Sequence, residues 1–117
     1  MRNASLALLV VAVAFGAMTS GDEPAGAQPR RLVWEQSQGL CQFVDKGEGD
    51  WAELDRQGKV FLKFKETRRT VDFVDLFDAT RGYNLRLYKD SLLIKGGKDG
   101  FHRFEDFTRF YDGKWVK

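Results

Sequence analysis

Tyr83-Asn84-Leu85-Arg86-Leu87-Tyr88-Lys89-Asp90-Ser91-Leu92-Leu93-Ile94 is the stretch whose reading decides the fold. Leu85 and Leu87 alternate with Asn84, Arg86 and Tyr88, so an extended chain here has one apolar face and one mixed face. Leu92 and Ile94 resume the apolar face after Lys89-Asp90. That leaves room for a two-residue turn and makes the segment an antiparallel hairpin.

Turn-forming clusters recur on both sides of this hairpin. They fall at Gly47-Glu48-Gly49-Asp50, Gln57-Gly58, Thr67-Arg68-Arg69-Thr70, residues 79–82, residues 96–100 and Asp112-Gly113. Strands separated by turns at intervals of roughly 8–12 residues are the pattern of a sandwich or a small barrel. The intervening segments are rich in Val, Phe, Leu, Trp and Tyr, which suit a half-buried pleated surface. Within residues 59–66, Val60, Leu62 and Phe64 share one face, while Lys63 and Lys65 share the other with Phe61. Asp112-Gly113, flanked by Phe110-Tyr111 and Trp115-Val116, predicts a second hairpin.

Two stretches read less simply. Val71, Val74 and Phe77 stand three apart, after Thr70 and before Gly82, which also suits a capped helix. Phe101, Phe104, Phe107 and Phe110 are likewise three apart, a spacing that fits neither a clean strand nor a good helix. Aromatic and β-branched enrichment favours strands for 71–77 and 101–111, with a bend or bulge near Glu105-Asp106; the helical alternatives stay open. The expected fold is all-β: a small antiparallel sandwich or partly closed barrel of about seven or eight short strands.

The N-terminus reads as an export signal. Met1-Arg2 gives a positive start, the run from Leu6 to Met18 is nearly all apolar, and Ala25-Gly26-Ala27 offers a small-residue cleavage site before Gln28. The apolar run is shorter than the about 20 residues a bilayer span requires. The expected organisation is a signal peptide over 1–27 and a single secreted or periplasmic β domain over 28–117, with no stable membrane span after cleavage.

Removal of 27 of the 117 residues leaves 90 residues and takes away Arg2, Asp22 and Glu23, moving the net charge from +2 to +3. So mild an excess excludes the dense basic footprint of a nucleic-acid binder. Residues 58–64 resemble a basic, aromatic RNA-binding strand only in passing, with no second matching strand. Cys41 is the sole cysteine, so no intramolecular disulfide can form and packing must carry the stability. Cys41 reads first as a small buried hydrophobe; its other use, in an oxidising compartment, is a disulfide joining two copies as a homodimer. Phe15 leaves with the signal, and fifteen aromatic residues remain.

Catalytic and metal chemistry find little support. One histidine and one cysteine cannot assemble a zinc site from nitrogen and sulfur donors alone, and Asp45, Glu48 and Asp50 lack the spacing of a calcium loop. His102 with Ser37 or Ser91 lacks the context of an activated nucleophile. Asp72, Asp75 and Asp78 lie three apart, so on a strand Asp75 faces away from the other two. No cofactor, metal or enzymatic activity is expected.

Binding is the expected class of function. Trp51 beside the glycine turn is the candidate for a flat aromatic contact, and Arg68, Arg69, Arg81 and Tyr83 surround two successive turns. Successive hairpin turns lie at opposite ends of a sheet, so Arg68 and Arg69 form one candidate patch and Arg81 and Tyr83 another. Trp34 and Trp115 read as core. The leading expectation is a non-catalytic module for a protein or glycan ligand. The alternatives are an enzyme inhibitor presenting the loop at 47–50 or 96–100, and a small-ligand carrier. The carrier requires an uncollapsed interior, whereas the aromatic content predicts a filled one.

Overall fold

Every strand of the computed structural model hydrogen-bonds to the strands before and after it in sequence, and the last closes on the first. The structure describes residues 30–117; the expected export segment lies outside the described residues. The strands are β1 (Val33–Gln36), β2 (Gln42–Gly47), β3 (Asp50–Leu54), β4 (Val60–Arg69), β5 (Phe73–Asp78), β6 (Tyr83–Tyr88), β7 (Ser91–Gly96) and β8 (Phe104–Trp115). Together they form a closed, antiparallel, up-and-down barrel. Closure removes the edges that an open sheet of this length would expose.

The alternation that suggested the hairpin sets the barrel's inside. Tyr83, Leu85 and Leu87 of β6 are buried, and Leu87 pairs with Leu92 across the turn at Lys89-Asp90. Val74, Leu76 and Asp78 of β5 point inward beside them. Residues 71–77 therefore contribute a strand, with the spacing-three pattern broken because Val71 lies outside it and is exposed. The preceding turn falls at 70–72 rather than 67–70. An irregularity in register between Glu66 and Arg68 extends β4, and the Thr70 hydroxyl accepts from the Asp72 and Phe73 amides to close the bend.

β8 also departs from the sequence reading. Asp112-Gly113 makes no turn: both residues lie within β8, where Gln36 pairs with Gly113 and Ser91 with Asp112. Gly113 is there for space. A Cβ at this position would come within 2.6 Å of Trp34 Cζ2, and nearer still to Cη2 and the Glu35 carbonyl oxygen. The expected irregularity near Glu105-Asp106 is present, because pairing with β7 jumps from Gly96–Phe104 to Ile94–Thr108. A second shift at Leu92/Leu93 sets Phe110 out of register between Arg109 and Tyr111. These two bulges explain the spacing of the phenylalanines, since each extra residue changes which face follows it.

The two ends of the barrel differ. The end holding the 47–50, 70–72 and 89–90 turns is packed with tryptophan. Trp34 is wholly buried and its indole N–H donates to the Tyr88 carbonyl at 2.7 Å. Trp51 meets Trp115 edge-on at 6.2 Å and donates to Glu66 Oε1 at 2.9 Å. Phe43 bridges Trp34 at 6.1 Å and Phe64 at 5.7 Å, carrying the aromatic core toward the other end. There the packing stops.

Candidate functional site: a half-open barrel interior

The interior is not filled throughout. At the end holding the 37–41, 55–59, 79–82 and 97–103 connections, a cavity of about 400 Å3 opens into the barrel. Eight-stranded barrels sit at the size where side chains either fill the interior or leave room for one small ligand. Here both occur, one at each end, because the three tryptophans are confined to the opposite end and β1 is short. β1 stops at Gln36 and pairs with β8 only over Trp34–Gln36, so the segment of β8 from Phe104 to Tyr111 borders the mouth.

Phe43, Leu62, Leu85, Ile94 and Phe104 give the cavity an apolar wall. Phe61 and Phe110 stand at its rim and are exposed, at 65% and 48%. Both are bulge residues. Phe61 is skipped where β3 pairs Glu53 with Leu62 and Leu54 with Val60, and Phe110 is skipped between Arg109 and Tyr111. The bulges re-aim two rings from the outer face onto the mouth, a common use of such irregularities. Phe104 meets Phe110 at 6.0 Å and the His102 ring at 4.5 Å.

The loop joining β7 to β8 is tied down as part of the wall. The Gly97 amide donates to the Gly82 carbonyl at 3.0 Å, the Lys98 amide to the Arg81 carbonyl at 2.8 Å, and Lys98 Nζ to the Ala79 carbonyl at 2.7 Å. Gly97 holds a φ of 128°, and a Cβ there would meet the His102 carbonyl at 2.5 Å and the Tyr83 ring at 3.0 Å. Only glycine permits this approach. The Tyr83 hydroxyl then donates to the His102 carbonyl at 2.7 Å and locks the loop to β6.

Beside these apolar walls lies a polar group of five: Glu53, Cys41, Tyr111, Arg81 and Asp78. Glu53, one of the cavity-lining residues, is 8% exposed. The Cys41 thiol donates to its carboxyl, and burial first, with this thiol and the Arg81 charge opposing it, raises the carboxyl above its ordinary value. Among the described residues no other side chain hydrogen-bonds to that carboxyl. The thiol itself is pushed up to about 12 by burial and by Glu53. Tyr111 is also raised, by burial and by the neighbouring Cys41 and Glu53. Arg81 is engaged: Nε donates to Asp78 Oδ2, and the guanidinium lies 5.0 Å over the Tyr83 ring. Asp78 is 1% exposed and also accepts the Thr80 and Arg81 amides at 2.9 and 3.1 Å.

The sequence candidates divide sharply against this geometry. Arg81 and Tyr83 meet at the cavity, and Arg68 and Arg69 lie at the opposite end of the barrel, as the hairpin argument requires. Arg68 rests 5.4 Å over the Phe73 ring, and Arg69 is held by Glu66 at 2.9 Å and by Asp45 at 3.5 Å. Trp51 is 1% exposed, so it belongs to the core and presents no flat face to a ligand. Cys41 is 6% exposed and its thiol hydrogen-bonds the Glu53 carboxyl. Glu53 escaped notice in the sequence. The signal was there, because strand alternation from an inward Trp51 places residue 53 inward too.

Other acids are accounted for locally. Asp75 faces outward from β5 and Asp78 inward, the split that a strand dictates. Asp45 caps the Gly47 amide at 2.8 Å and Asp50 pairs with Lys65. No group of three or more potential metal ligands occurs among the described residues. Ser91 sits at the β6–β7 turn, at the far end from His102. Comparison with protein-family models, curated proteins and solved structures finds no match for this chain.

Proposed function

We propose that this protein is a small-ligand carrier that binds one compact molecule with an apolar body inside the open end of its barrel. The observation that carries this reading is the half-open cavity of about 400 Å3, which lies in the range of pockets that take small molecules. Its apolar wall supplies affinity, and its few convergent polar groups supply orientation. The aromatic rim at Phe61 and Phe110 offers apolar surface on the way in. The N-terminal segment read as an export signal would deliver the carrier outside the cytoplasm.

This reading takes precedence over a surface recognition module because the surface candidates lose their footing. Trp51 is core, Arg69 is paired, and the 96–100 loop is bound to its neighbours rather than projecting as an inhibitor's would. The test is capture. Protein recovered from expression of the full chain is equilibrated with a small-molecule extract of its source, and bound compounds are identified by mass spectrometry. The carrier retains a restricted set of compounds, and Ile94→Trp, which fills the cavity from β7, loses them. Equal retention by wild type and Ile94→Trp overturns the reading.

A further inference from the structure

We propose that the ligand of this cavity is a primary amine with an apolar body, its ammonium group seated on the Glu53 carboxylate. The inference rests on the carrier reading and adds the chemical class of the ligand.

Glu53 is more than nine-tenths buried, lines the cavity, and has only the Cys41 thiol as a hydrogen-bonding side-chain partner among the described residues. A carboxylate offers about four acceptor positions, and a thiol is a weak donor. A buried acid so poorly satisfied costs stability unless something else meets it. The β-strands around it have no further donor to give: Phe43 on β2 and Leu62 on β4 flank it in register.

Charge decides which partner fits. The ionisable groups facing Glu53 are Cys41 from the β1–β2 connection, Asp78 and Arg81 from the end of β5 and its turn, and Tyr111 from β8. His102 reaches the cavity from the β7–β8 loop and Tyr83 from β6, where its hydroxyl is committed to the His102 carbonyl. Asp78 and Arg81 neutralise each other. With Glu53 ionised, this group carries one net negative charge in a largely apolar enclosure. An anionic ligand would add a second, and the Arg81 guanidinium is already held by Asp78 and Tyr83. An ammonium restores neutrality and fills the empty acceptor positions with strong donors. The Phe104, Tyr83 and Tyr111 rings lining the same space suit a cation and its apolar body alike.

The test is calorimetric titration with phenethylamine, phenethyl alcohol and hydrocinnamate, three molecules of similar shape, with toluene as a probe of the apolar cavity. The amine binds at least about tenfold more tightly than the alcohol, the carboxylate binds weakest, and Glu53→Gln erases the amine's advantage while toluene binding persists. Wild-type amine affinity falls as pH is lowered and the carboxyl, whose value is raised by burial, takes up a proton, and alcohol affinity does not. The pH profile carries the test should Glu53→Gln fail to fold. An alcohol that binds as well as the amine, or an amine preference that survives Glu53→Gln, overturns this inference and leaves the carrier reading standing if toluene binds. Absence of binding by all four molecules overturns both.

Discussion

Gly113 lies against the indole of Trp34, so close that a methyl group at 113 would overlap the ring and the Glu35 carbonyl. This contact lets β8 run past β1 while the largest side chain of β1 turns inward and caps the packed end. Gly113→Ala should destabilise the barrel by about 1–3 kcal/mol, because neither a backbone carbonyl nor a fully buried indole can yield cheaply. Urea denaturation followed by tryptophan fluorescence measures it. Gly39→Ala is the control, since its Cβ would meet nothing within 4 Å and only its φ of 72° opposes the change.

The same glycine shows where sequence reasoning fell short. Asp-Gly between apolar pairs predicts a tight turn, but glycine serves equally where another side chain needs the space of a missing Cβ. Only the pairing partner distinguishes the two, and Trp34 is distant in sequence. The hairpin at 83–94, by contrast, was fully legible, since its alternation and its turn are local. The all-β class followed from the same periodicity. The cavity did not: it depends on which end of the barrel the tryptophans occupy and on bulges at Phe61 and Phe110, set by pairing across β3–β4 and β7–β8. Glu53 was missed because an acid flanked by apolar residues reads as solvent-facing until the inward direction of Trp51 is known.

Glu66 anchors the packed end from its flank. It accepts the Trp51 indole N–H at 2.9 Å and two donors of Arg69 at 2.9 and 3.1 Å, and these bonds together with the Arg69 and Arg31 charges hold its carboxyl below the ordinary value despite burial. Glu66→Ala strands a buried N–H and should cost about 1–3 kcal/mol, with Glu66→Gln milder because its amide oxygen can still accept. Denaturation midpoints of the two variants check the order.

Outside the barrel, Arg86 is clamped between the Phe73 and Phe107 rings at 4.1 and 4.2 Å while donating to both oxygens of Asp75 at 2.8 and 3.0 Å. A lysine cannot reproduce the planar stack or the fork. Arg86→Lys should cost about 1–2 kcal/mol, more than a solvent-exposed pair such as Arg109–Asp112 is worth. Parallel denaturation of Arg86→Lys and Arg109→Lys tests the contrast.

Stability should also depend on pH through Glu53. Its folded value is raised above the ordinary 4.5, so the folded state holds the proton more tightly than the unfolded chain. Its contribution is full below that ordinary value and is lost as pH rises through the raised one. Glu66 acts in the opposite sense: its contribution is present above 4.5 and lost as pH falls through its lowered value. Glu53→Gln should therefore gain stability relative to wild type as pH rises above 4.5, and Glu66→Gln should converge on wild type as pH falls below 4.5. Thermal melts on both sides of pH 4.5 read the two slopes.

The cavity gives the barrel an accessible apolar interior at one end only. Titration of toluene into methyl-labelled protein, followed by carbon–proton correlation spectra, tests it most directly. Saturable shifts should appear at the methyls of Leu62, Leu85 and Ile94, with little change in the wholly buried Val74. Linear, unsaturable shifts, or shifts confined to exposed Val60 and Val71, would contradict it.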